Sequence, residues 1–284
     1  MEAASSSDDA FRIALEEIYE DGGLTKACFK LEDESDDMRK LTEDEHGGKG
    51  AHVYGDTDAD LLLHLFANML ERPISCELDS FCDLGSGSGK LLLQMCTRTA
   101  SVIGIELSAT RHEAAESALW EAQRRGHLSS RGNVHLYCAS MLRHVAVAES
   151  NLIYCYSLAL SPSFLSELRA DLEARLPIGA LVLLRGQGFP NDGVVPPTTA
   201  HRLQPVVETR IVNRVHNYFG YRLVESDPVA AAAAVDDGVV RTIELELQAL
   251  PLGSTRFERL VFVQPEAEDE SAAMLQELFE GREL

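Results

Sequence analysis

Two carboxylates and a run of glycines carry the chemistry legible in this chain. Asp83 ends an apolar segment and leads into Leu84-Gly85-Ser86-Gly87-Ser88-Gly89-Lys90, and Glu106 closes the next apolar segment 23 residues later. Alternating glycines let a strand turn sharply into a helix and let a ligand approach backbone that has no Cβ. A phosphate-cradling P-loop needs four residues between its glycines and then Lys-Ser/Thr, whereas three residues separate Gly85 from Gly89 and Leu91 follows Lys90, so no hydroxyl is supplied for Mg²⁺. A dinucleotide fingerprint wants glycine at the sixth place, which is Lys90. A carboxylate directly before the glycines suits a cationic amino-acid moiety, which S-adenosylmethionine carries, and an acid about 20 positions on suits ribose hydroxyls. Other nucleotides, a ligand-free turn, and Glu106 as a helix-start carboxylate stay open on these residues alone.

The surrounding elements must hold these groups at one sheet edge. Strand Asp79–Leu84 leads to helix Lys90–Thr97, and strand Ser101–Ile105 leads to a helix from Ser108 to Arg125 with Gly126 as its stop. Val134–Cys138 and Leu152–Tyr156 are the next strands. Ser161-Pro162 opens another helix, and Pro177-Ile178-Gly179 turns into strand Ala180–Leu184. Upstream, Phe11, Leu15 and Ile18 form one face of a helix, and Thr57, answered by Asp60, caps a helix lined by Leu61, Leu62, Leu65, Phe66 and Met69. Strands alternating with helices require a parallel sheet covered on both faces. Arg241–Leu250 and Phe257–Val263 read as an antiparallel hairpin closing its edge. The fold class expected is therefore α/β: a Rossmann-like, class I methyltransferase sheet, mostly parallel with a terminal antiparallel hairpin and helices on both faces. Residues 51–264 form the methyltransferase domain, 1–50 an acidic helix and linker, and 265–284 an acidic tail.

Charge narrows the partners. Of the net −21, most sits at the ends: residues 1–50 hold fifteen acids against six bases, and 265–284 hold seven against one. Nucleic-acid affinity comes largely from Lys and Arg on phosphates, so naked DNA or RNA is disfavoured and a basic protein partner is favoured, unless the acidic runs only solvate those segments. No apolar stretch approaches a membrane span and the start lacks a signal-peptide pattern, so an intracellular protein is expected. The six cysteines form no C-x-x-C pair and read as reduced, with Cys82, Cys138 and Cys155 on buried strands; neither they nor the nine histidines have metal-ligand spacing.

The combination of Val53-Tyr54-Gly55-Asp56-Thr57 with the Phe81 to Gln94 segment resembles the histone-lysine methyltransferases of the disruptor-of-telomeric-silencing (Dot) class, over roughly Val53 to Leu184. That family carries V-Y-G-E-T before a helix and D-L-G-S-G-x-G-Q at its glycine turn. The resemblance implies that Tyr54, Gly55, Asp56 and Thr57 cover the methionine end of S-adenosylmethionine. It implies further that Phe81, Asp83, Gly85, Ser86, Gly87, Gly89 and Lys90 surround the amino-acid part, with Lys90 in place of a glutamine, and that Glu106 grips the ribose. Ala139-Ser140-Met141 replaces the family's Gly-Asp-Phe, leaving Ser140 and Met141 for the adenine. Tyr156-Ser157-Leu158-Ala159-Leu160 replaces Asn-Asn-Phe-Ala-Phe, leaving Tyr156 and Ser157 to orient an acceptor amine. The family's channel tryptophan has no counterpart, Trp120 falling on a helix.

The activity implied is methyl transfer to lysine of a basic protein, a histone or nucleosome, with a nuclear location if so and a cytoplasmic one otherwise. A methyltransferase for another protein or a small molecule, and a non-catalytic donor-binding module, are the alternatives left by the altered acceptor segment.

Overall fold

The computed structural model describes residues 11, 13–19, 57, 59–128, 133–190, 201–212, 217–225, 241–248 and 259–263. Helix α1 (residues 13–19) comes first, then α2 (Ala59–Leu70), β1 (Ser80–Leu84), α3 (Lys90–Met95), β2 (Ser101–Glu106), α4 (Ala109–Arg124) and β3 (Asn133–Cys138). A 3₁₀ turn at Val145–Glu149 precedes β4 (Leu152–Tyr156), α5 (Pro162–Arg175) and β5 (Leu181–Arg185). Strands β6 (His201–Val212), β7 (Tyr218–Glu225), β8 (Arg241–Gln248) and β9 (Arg259–Val263) follow.

One nine-stranded sheet runs in the order β3-β2-β1-β4-β5-β7-β6-β8-β9. The first five strands are parallel, and β7 pairs antiparallel with both β5 and β6. Through β6 this is the class I methyltransferase arrangement, with the reversal of strand order between β1 and β4 where open α/β sheets bind ligands. The segments from Arg241 on form the expected antiparallel pair at the outer edge, β8 with β9, with β8 lying parallel to β6, and β6 with β7 adds a second antiparallel pair beside β5. The long β6, which carries a register shift between Pro205 and Val207, offers one edge to β7 and the other to β8.

The sheet's two faces bury separate cores, as strands apolar on both sides demand. Phe81, Val102, Tyr154, Leu181, Leu183 and Tyr218 meet α2 and α3 on one face, and Cys82, Ile103, Ile153, Val182 and Leu184 meet α5 on the other. Phe11, Leu15, Ile18 and Tyr19 belong to the first of these cores, so α1 packs within the same body as the sheet. Ser108 and Ser161 cap α4 and α5, accepting from Arg111 N and Phe164 N. Among the cysteines, Cys82, Cys96 and Cys155 are buried, but Cys138, expected inside, is exposed because β3 is an edge strand. Among the described residues, no helix is long and apolar enough to cross a membrane.

A buried carboxylate locks the entrance to β1. Asp79 is fully buried and accepts two hydrogen bonds of 2.7 Å from Arg72, one of 2.7 Å from Ser75 N and one of 2.9 Å from Asn151 Nδ2. Burial alone would raise its pKa, but Arg72, the Ser75 amide and Asn151 together hold it below the usual value. Its contribution is therefore present above the unfolded-state pKa near 4 and lost as pH falls through the lower folded value. Asp79→Ala should cost about 3 kcal/mol at neutral pH, through the donors left unpaired at the Ser75 amide and Asn151. Chemical denaturation should show that loss shrinking below about pH 4.

Candidate functional site

The turn after β1 is built by its glycines. Gly85, Gly87 and Gly89 all have positive φ, 87°, 54° and 76°. Gly85 N and Ser86 N both donate to Ile105 O (2.8 and 3.1 Å), and Gly89 N donates to Ser86 O (2.9 Å), so the turn is tied to β2 and closed on itself. Space matters as much as conformation at Gly89, where a Cβ would stand 2.9 Å from Ala115 Cβ on α4. Gly104 has the opposite role within β2: a Cβ there would fall 2.2 Å from Leu92 Cδ1 and 2.9 Å from Ser86 Oγ. Its bareness lets α3 and the Ser86 side chain settle over the sheet beside Asp83.

Asp83 and Glu106 stand on the same face, because Asp83 is in register with Gly104 and Glu106 lies two residues further along β2. Both are nearly buried, at 4% and 6% exposure. Glu106 accepts from Gly87 N through Oε2 and from Ser108 N through Oε1, each at 2.8 Å, so it clasps the glycine turn to the start of α4. Each oxygen keeps a further lone pair for a ligand hydroxyl. Among the described residues no hydrogen bond reaches the Asp83 carboxylate. Burial first, and the Glu106 charge second, push its pKa up to about 8. A buried acid facing a second acid at the open end of a parallel sheet is chemically suited to a cation.

Other expected contacts divide. Met141 is buried with its Cε 3.6 Å from where a Cβ on Gly85 would lie, so it lines the turn; half-buried Ser140 accepts from Leu142 N at 3.3 Å and keeps its own proton for a ligand. Lys90 opens α3, half-buried, directly after Gly89. Ser86 contributes its backbone to the turn while its side chain turns inward over Gly104. Phe81 is a correction: it is fully buried, edge-on to Phe66 with ring centroids 6.3 Å apart, and serves the core rather than a ligand. Tyr54, Gly55 and Asp56 lie outside the described residues.

The acceptor side holds the larger surprise. Ser157 is fully buried, and its Oγ lies 3.0 Å from Arg185 O and 2.6 Å from Gln187 O while accepting from Gln187 N at 3.1 Å. Its proton faces two carbonyls, one lone pair takes the Gln187 amide, and full burial closes the oxygen to an acceptor amine, so Ser157 is a clasp between the ends of β4 and β5. Tyr156 is half-buried beneath Arg185, whose guanidinium carbon stands 5.0 Å from the ring centroid. Arg185 also lies 5.9 Å from the Tyr218 ring and donates to Thr57 Oγ1 at 2.7 Å. Thr57 Oγ1 is 2.6 Å from the Tyr154 hydroxyl, so the hydroxyl expected to cap α2 is engaged at the sheet edge instead. Sequence reasoning passed over Arg185 and Tyr154. The signal was a charge ending the otherwise apolar run Leu181-Val182-Leu183-Leu184.

Comparison with known families bears on this geometry. Residues 36–138 match the model of histone methylation protein DOT1. The DOT1 match takes in β1, the glycine turn, β2, α4 and β3 and ends at Cys138, before Ser140, Met141 and the whole of β4. The part of the chain that carries Asp83 and Glu106 is thus the part that resembles DOT1. No curated relative matches the chain. Similar solved structures include an RNA methyltransferase from Salinibacter ruber in complex with S-adenosyl-L-homocysteine, at 21% identity and TM-score 0.43 over 61% of this chain and 97% of that one. Another is geranyl diphosphate methyltransferase in complex with GPP and sinefungin, at 19% identity and TM-score 0.35 over 45% of this chain and 43% of that one.

Proposed function

We propose that the protein is an S-adenosylmethionine-dependent protein methyltransferase of DOT1 type, acting on lysine in a basic protein such as a histone. The observation that carries the donor half is the Asp83–Glu106 pair locked to the glycine turn through Gly87 N. The residues fit the donor: Asp83 would receive the ammonium, Glu106 the ribose hydroxyls, Met141 the flat face of the adenine and Ser140 its edge. When bound, S-adenosylmethionine supplies an electrophilic sulfonium methyl and leaves as the neutral thioether.

The chain's own task is then alignment and exclusion of water, since a displacement of this kind needs no covalent catalyst. A lysine acceptor must first lose a proton, at a cost of about 4.6 kcal/mol at pH 7 for an ordinary amine. Buried Leu160 and half-buried Leu158 beyond β4 would supply the desolvation that lowers this cost, with Tyr156 beside them to orient the amine. The match to histone methylation protein DOT1 supports the histone-lysine reading, and the acidic charge suits a basic partner. A nuclear location goes with it.

The committed hydroxyl of Ser157 favours a second reading, a methyltransferase whose acceptor is another protein or a small molecule. Incubation with radiolabelled donor and nucleosomes, free histones or demethylated lysate separates the two. A labelled histone band is the expected result; a labelled lysate species without one establishes the second reading. Donor binding in calorimetry with no labelled product anywhere would reduce the protein to a binding module.

A further inference from the structure

We infer that Arg185 is the second anchor of the donor site, binding the α-carboxylate of the same amino-acid head group whose ammonium meets Asp83. This rests on the donor reading above and adds a residue outside the stretch that matches DOT1. Asp83 is in parallel register with Tyr154. Tyr156 is in register with Arg185, and Arg185 with Tyr218. Side chains in register share a face, as do residues two apart on one strand. Asp83, Tyr154, Tyr156, Arg185 and Tyr218 therefore lie on a single face at the C-terminal end of the sheet. Strands β1 and β5 are separated only by β4, about 10 Å across at the usual strand spacing. A zwitterionic amino-acid head group with a hydrogen bond at each end has about that length.

The charges along this face run in one direction. Glu106 and Asp83 stand on β2 and β1, and the guanidinium stands on β5 at 9% exposure. A zwitterion with its ammonium toward β1 and its carboxylate toward β5 is the complementary ligand. The guanidinium is also braced in place: Thr57 fixes one edge, and the Tyr156 and Tyr218 rings flank it, so the orientation of its planar fork is set by these neighbours. The Tyr154 hydroxyl, tied to Thr57, adds a neutral polar group between the two charges.

Calorimetric titration of wild type and Arg185→Gln with S-adenosylmethionine and with its decarboxylated analogue tests the assignment. The analogue keeps the ammonium, the sulfonium and the nucleoside and lacks only the carboxylate. The expected result is an affinity for S-adenosylmethionine lowered about 10- to 100-fold by the substitution, with affinity for the analogue unchanged. Equal weakening of both ligands would show that Arg185 only supports the sheet edge, and no weakening of either would also overturn the proposal. If Arg185→Gln does not fold, the wild type decides alone: it should bind the analogue at least about 10-fold more weakly than S-adenosylmethionine, and equal affinities would sink the assignment. Wild type binding neither ligand would remove the donor reading itself, an outcome distinct from all the others.

Discussion

Binding of S-adenosylmethionine near pH 6.5 should release close to one proton per molecule bound. Asp83 is buried beside Glu106 and titrates at about 8, so below that pH the ligand-free protein holds it mostly protonated. An arriving ammonium favours the carboxylate, and the displaced proton goes to buffer. Titrations in buffers of different ionisation enthalpy read the number directly, as the slope of observed heat against that enthalpy. The slope should fall away toward pH 9 and vanish in Asp83→Asn, which should also lower donor affinity by about 100-fold or more through loss of the charge pair. A zero slope at pH 6.5 in the wild type would show that Asp83 is not the ammonium receptor. The same group shapes the pH stability of the ligand-free protein. The folded state holds a proton that an unfolded Asp releases near pH 4, so stability attributable to Asp83 declines as pH rises from about 4 to about 8, at up to about 1.4 kcal/mol per pH unit. Asp83→Asn should flatten that decline.

Glu106→Ala should strike stability and binding together. It strips the acceptors from Gly87 N and Ser108 N, two donors on backbone that is buried or nearly so, each worth about 1–3 kcal/mol when left unsatisfied. Relief of the repulsion on Asp83 returns part of this, leaving a net loss of about 2–4 kcal/mol. Donor affinity should fall by at least about 100-fold, because the ribose acceptors go and the turn is no longer pinned. Glu106→Gln separates the contributions. Its amide oxygen satisfies one backbone donor and its NH₂ opposes the other, so its melting temperature should lie between those of wild type and alanine. A melting temperature for Glu106→Ala equal to wild type would mean that the clasp seen between β2 and the turn does not hold in solution.

The donor side was legible in the sequence because its requirements are local. Positive φ at Gly85, Gly87 and Gly89, a carboxylate before them and another at the end of the next strand are all demands that one βαβ unit places on adjacent residues. The parallel strands and their helices were legible for the same reason, through apolar runs and caps such as Ser108 and Ser161. What was misread depends on distant pairing. Nothing in the neighbourhood of Ser157 announces that Arg185 O and Gln187 O will take its hydroxyl, and Phe81 belongs to a glycine motif by sequence yet faces Phe66 in space. The terminal hairpin was legible and forms at the sheet edge as β8 and β9, whereas the antiparallel pairing of β6 with β7 was not, because only the sheet order shows that β7 borders β5.

Tyr19 is buried in the core, and its hydroxyl donates to Ser88 O at 2.8 Å across 69 residues of chain. The first helix thus grips the middle of the glycine turn from outside. Thermodynamic linkage is reciprocal: whatever draws α1 off the core loosens the turn, and whatever fills the turn holds α1 down, by the same factor in each direction. Helix α1 is in this sense a handle on the ligand site, and a grip on it is felt at Ser88.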